Sequence, residues 1–213
     1  MIKGLTRGFS LTEFLMAMTI TSIIGLAAAG VSVAMSQANS QLQAYYQNVA
    51  TGRSTFYRMQ DTLRKAKLVT YASGGTVLLW AADTNGDGQI NNDEMVQWSY
   101  DQANSRVVEY RIAYPDGLRS ALNVTQPLAT YLTASSSVTG DVYCTTTVLA
   151  TGVTSFQAVL KGSAPTATLV KLSLTVGSGN QAVTLRSATE LRADATGCVT
   201  VSGGQYVLST PAN

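Results

Sequence analysis

From Phe14 to Met35 the chain runs through about 22 residues without a charge, FLMAMTITSIIGLAAAGVSVAM. At about 1.5 Å per helical residue this segment spans roughly 33 Å, the thickness of a bilayer's hydrocarbon core. A buried helix of a water-soluble protein seldom keeps so long an unbroken apolar run. A cleaved secretory signal is the other alternative, since Lys3 and Arg7 supply its basic flank, but its apolar core is usually only about 7 to 15 residues. The segment reads as a membrane-spanning helix over 9–35. Basic residues before it and none soon after place the N-terminus in the cytoplasm and the bulk of the chain outside.

One carboxylate, Glu13, stands where that helix begins. An acidic side chain inside a membrane helix costs on the order of 3 kcal/mol and normally marks a partner. No Lys, Arg or His lies within the run, so the cation must come from elsewhere. The residues Gly8-Phe9-Ser10-Leu11-Thr12-Glu13 resemble the processing site of type IV prepilins and type II secretion pseudopilins. In that family a short basic leader ends in Gly, the next residue is usually Phe, and Glu stands fifth after the cut. The resemblance implies that 1–8 is a leader and that a prepilin peptidase of the inner membrane cleaves between Gly8 and Phe9. It also implies that Phe9 becomes N-methylated and that its amine, in the same chain or a neighbouring subunit, answers Glu13. Two charges that are each costly in lipid then offset one another and hold subunits in register. Thr12 replaces the usual aliphatic residue. Gly30 stands roughly where major pilins often carry Pro, which implies an accessory subunit.

Beyond Met35 the sequence turns polar, with Leu42, Tyr45, Tyr46, Val49, Phe56, Met59 and Leu63 at helical spacings, so an amphipathic helix over 36–69 continues the span. Gly52 reads as a local loosening, the stripe as packing against the protein's own head, and Arg64, Lys65 and Lys67 as a favourable helix C-terminus. From residue 70 short alternating runs follow: TVLLWAA, EMVQWSYD, RVVEYRIAY, TSFQAVL, TLVKLSLTV, AVTLRSATELR and QYVLS. These predict antiparallel strands with one buried face, and hence an α+β fold with a β-rich head over 70–213. A long N-terminal helix on such a sheet is also what the pilin resemblance implies. The order of the runs is most similar to the PilW-type minor pilins and J-type pseudopilins.

One segment of the head has specific chemistry. Asp83-Thr84-Asn85-Gly86-Asp87-Gly88-Gln89-Ile90-Asn91-Asn92-Asp93-Glu94 fits a 12-residue calcium loop. Asp83, Asn85 and Asp87 bring alternate oxygens inward, Gly88 permits the bend, Gln89 offers its carbonyl, Asn91 ligates directly or through water, and Glu94 closes the shell with two oxygens. The flanks alternate like strands, so the loop is grafted onto a hairpin. A solvated Asn-Gly/Asp-Gly turn is the alternative. Any calcium here reads as structural. Cys144 and Cys198, placed outside the cytoplasm, predict a disulfide, with two buried thiols as the alternative.

With 12% charged residues, a net charge of +2 and no His, neither a nucleic-acid surface nor a disordered tail is indicated. The missing His excludes Ser-His and Cys-His nucleophile sets, and the chain reads as no enzyme. The resemblance implies a subunit that packs by its N-terminal helix against other pilins or pseudopilins after residence in the inner membrane. It would initiate a pilus or secretion pseudopilus, with adhesion, motility or DNA uptake as outputs. A membrane-anchored, calcium-dependent surface adhesin outside any filament is the runner-up.

Overall fold

The computed structural model describes residues 10–84, 92–113, 143–164, 166–191, 199–202 and 205–208. One helix, α1, runs unbroken from Leu11 to Lys65. The chain divides into two units, residues 1–44 and 45–213. In the first, α1 is exposed on every side from Ser10 to Gln43, apolar residues included. It is long and apolar enough to cross a membrane by length and composition.

In the second unit, the rest of α1 is amphipathic in the expected sense from its middle onward. Phe56, Met59 and Leu63 are buried, whereas Tyr45 and Tyr46, on the same expected stripe, are exposed. The helix ends four residues earlier than the sequence predicts, with Arg64 and Lys65 in its last turn, where they complement the helix dipole. Ala66 closes it by bonding back to the Thr62 and Leu63 carbonyls, and Lys67 then donates to the Trp80 carbonyl and enters the sheet. The following Leu68, Val69 and Thr70 form a strand instead of a helix tail because all three are buried. A strand between packed layers can bury successive residues, and a helix on a surface cannot.

Five antiparallel strands form a meander in chain order: β1 (Leu68–Ser73), β2 (Thr76–Trp80), β3 (Met95–Asp101), β4 (Arg106–Ile112) and β5 (Cys144–Thr151). A second sheet is β6 (Val153–Lys161), β7 (Leu169–Val176) and β8 (Val183–Glu190), and β9 (Val199–Ser202) pairs antiparallel with β10 (Gln205–Leu208). Only Gly152 separates β5 from β6, and at φ +67 it takes the left-handed conformation that lets the chain pass between sheets in one residue.

The core lies where one face of the first sheet (Val69, Val77, Leu79, Val96, Trp98, Val107) meets Phe56, Met59 and Leu63 of α1 and Phe156, Leu172 and Leu174 of the second sheet. Gly52 is part of this contact. A Cβ there would come 2.5 Å from Leu185 Cδ1, so the glycine permits close approach of helix and strand and does not loosen the helix. The expected single buried face holds in β7, which alternates from Val170 to Val176. It fails in β2, where Val77 to Trp80 are all buried, because Leu78, Trp80 and Met95 lie covered on the sheet's other face. The threonine-rich β5 lacks apolar alternation and β9, though it alternates, is only four residues long, so the sequence pattern passes over both.

Candidate functional site

Ser10 and Glu13 bond reciprocally at the start of α1. The Ser10 backbone N–H donates to Glu13 Oε2 at 3.0 Å, and the Glu13 N–H donates to Ser10 Oγ at 3.3 Å. Ser-Leu-Thr-Glu is thus a capping box, which satisfies donors that a helix start would otherwise leave open. The carboxylate also lies at the positive end of the helix dipole. The sequence carried this signal in its S-x-x-E spacing, but reading Glu13 as a lone charge in lipid passed over it. Among the described residues Glu13 makes no ion pair. Gly8 and Phe9, the expected processing site, lie outside the described residues. Along the apolar run, Thr19, Thr21, Ser22 and Ser32 each donate to a carbonyl three or four residues back, at 2.7–3.0 Å.

Of the six expected calcium ligands, the structure describes Asp83 and Glu94; Asn85, Asp87, Gln89 and Asn91 lie outside the described residues. Glu94 ends a 3-10 turn, Asn92–Glu94, and is 3% exposed. Its Oε2 accepts from the Trp80 indole N–H at 2.9 Å, and its Oε1 accepts from both the backbone N–H and the hydroxyl of Thr84, the latter at 3.1 Å. Glu94 therefore draws the last position of the loop onto the second, as a closing residue must. Its carboxylate is nevertheless already engaged by protein donors. Closing a metal shell with both oxygens would mean exchanging bonds to Trp80 and Thr84 for bonds to the ion. Lys67 sits over the Trp80 ring, 5.8 Å from its centroid, so the indole meets a cation on its face and a carboxylate at its N–H. Among the described residues no group of three or more His, Cys, Asp or Glu gathers as a metal site.

The other tryptophan holds the other buried glutamate, a pairing the sequence reading missed. Trp98 and Glu109 are direct cross-strand neighbours of β3 and β4, and the indole donates to Glu109 Oε2 at 3.0 Å. Arg111 Nε at 2.8 Å and Arg58 of α1 at 3.1 Å share Oε1. Glu109 is 1% exposed, while Arg58 and Arg111 are 51% and 44% exposed. Burial alone would raise the Glu109 pKa. Hydrogen bonds from Arg111 and Trp98, with the charges of Arg111 and Arg58, outweigh it and hold the carboxyl below its ordinary value. Since Arg58 is on α1, this carboxylate ties the helix to the first sheet. Cys144 opens β5, and its expected partner Cys198 lies outside the described residues.

The chain matches no known family profile and no curated protein.

Proposed function

We propose that this chain is an accessory type IV pilin or type II secretion pseudopilin that helps initiate a filament. In this reading a prepilin peptidase cuts between Gly8 and Phe9 and methylates Phe9. The chain first resides in the inner membrane with its head outside, then packs against other pilins or pseudopilins through α1. The observation that carries the reading is one helix with two characters: charge-free, apolar and exposed behind Glu13, then built into a β-sheet core from Phe56 to Leu63. The capping box adds a physical route to the pairing of Glu13 with the new amine. Its carboxylate bonds the Ser10 N–H, and Phe9, which would bear that amine, is the adjacent residue.

The head would carry a structural calcium ion held by Asp83, Asn85, Asp87, Gln89, Asn91 and Glu94, and a Cys144–Cys198 disulfide. The ion's chemistry there would be to neutralise carboxylates at a hairpin tip. N-terminal mass spectrometry of membrane-extracted protein tests the assignment: a mature chain starting at N-methylated Phe9 supports it. A start near Gly30 would make the segment an ordinary secretory signal and end the filament reading. Loss of filament assembly in Glu13→Gln is the expected second result, whereas intact filaments with loss of surface binding by the head would favour the adhesin.

A further inference from the structure

Six arginines lie among the described residues, and four have evident roles. Arg58 and Arg111 hold Glu109, Arg106 holds Asp101, and Arg64 stands in the last turn of α1. Arg53 and Arg186 make no ion pair among the described residues, and both line the same groove. This groove, about 490 Å³, lies between α1 and β8, with Phe56, Tyr57, Gln60, Leu185 and Ser187 as its other walls. It contains no carboxylate. Leu185 and Ser187 lean toward the helix, as the approach of Leu185 to Gly52 and the bond from Gln60 to Ser187 show. Arg186, between them, is exposed. A groove walled by all three runs along the rim of β8 and not over one face.

That rim has a second property. β8 is the last strand of its sheet, paired with β7 on one side and with no described strand on the other, so alternate N–H and C=O groups along its eight residues face outward. We propose that the α1/β8 groove is a docking site for an extended acidic segment of another protein, which adds a strand to β8 and sets its carboxylates against Arg53 and Arg186. Main-chain bonds supply the general affinity in this mode and the side chains select the partner. Arginine suits the second task because its planar fork binds a carboxylate through two parallel bonds. Self-association through β8 is disfavoured, because a full-register antiparallel copy sets Ser187 opposite Arg186 and Val183 opposite Glu190, and so supplies no carboxylate to the arginine. A nucleic-acid strand is disfavoured by the small number of cations and by Glu190 in the same strand. The proposal does not depend on the filament reading.

The test uses the full chain in detergent micelles and a fluorescein-labelled octapeptide, Glu-Glu-Val-Val repeated twice, which sets carboxylates on both faces of the added strand and matches the eight residues of β8. Anisotropy should show saturable binding that weakens with salt. Arg53→Gln with Arg186→Gln should raise Kd about tenfold or more, with Arg64→Gln unchanged. The same peptide N-methylated at alternate amides should not bind, and this arm decides even if the double variant does not fold. Equal binding of the N-methylated peptide, or of a Lys-Val octapeptide, would overturn the proposal. So would oligothymidylate binding that exceeds the peptide's and is lost in the same double variant.

Discussion

Glu94 and Glu109 are both buried and both take an indole N–H, but Glu94 ends the 3-10 turn before β3 whereas Glu109 lies within β4, and they keep different company. Glu109 points into the core beside Trp98, and two arginines meet it from β4 and α1. Glu94 is held by Trp80 and Thr84 and closes the sequence segment 83–94, which is rich in side-chain oxygens. A carboxylate with permanent cationic partners is committed to the fold. Neutral donors such as the Trp80 indole and Thr84 can be exchanged for an ion at smaller cost than a cationic partner can. The pairing with tryptophan is shared, and the two arginines on Glu109 are the difference that ties it to the fold.

The largest effect should come from breaking the first site. Glu109→Leu leaves the buried Trp98 N–H without its acceptor and two arginines without their anion, and is expected to cost about 3 kcal/mol. Chemical denaturation followed by fluorescence measures it; a loss no greater than that of Glu94→Leu would erase the distinction. Acid should separate the sites next. Because folding holds the Glu109 carboxyl below its unfolded value, its stabilisation is complete above the ordinary carboxylate range and is lost as pH falls through the folded value. The stability gap between the parent protein and Glu109→Gln should stay level from about pH 8 to 5 and narrow below it.

A smaller effect is expected at Glu94 and should depend on calcium. If the ion takes Glu94, the Trp80 indole loses its acceptor, so Trp98→Phe, which leaves Trp80 as the reporter, should change emission between calcium and chelator. Trp80→Phe should not. Calcium should also raise the melting temperature, with most of that gain absent in Glu94→Gln. Identical melts and spectra with and without calcium would leave only a turn at 83–94. The smallest effect belongs to Arg58→Gln. This half-exposed arginine shares Glu109 with Arg111, so its loss should cost less than about 1 kcal/mol in the same denaturation assay.

Much of this architecture was legible where side-chain period and environment coincide. Lys171-Leu172-Ser173-Leu174-Thr175-Val176 alternates because one face of β7 is covered, so its pattern states its burial. Val77-Leu78-Leu79-Trp80 is covered on both faces, and period alone cannot distinguish that from a piece of buried helix. The end of α1 was hidden because no glycine or proline between Lys65 and Gly74 marks it, although Leu68 and Val69 already leave the helical stripe for β1. At the sites, the calcium-type pattern of 83–94 could be proposed because its spacing is local in sequence. The grip of Trp98 on Glu109 could not, because strand register brings together residues 11 apart and α1 adds Arg58 from 51 residues away. Gly52 carries the same lesson, for its meaning resides in Leu185.

The four hydroxyls inside the apolar run close on their own helix's carbonyls, and this bears on what the segment asks of its surroundings. Thr19, Thr21, Ser22 and Ser32 present hydrocarbon outward and need no polar group from a lipid or a neighbouring chain. For such a cylinder, acyl chains and the apolar flanks of other helices are nearly equivalent solvents, and passing from one to the other leaves every hydroxyl bond intact. Whatever distinguishes the two media for this segment is therefore concentrated at its first turn, in a single carboxylate.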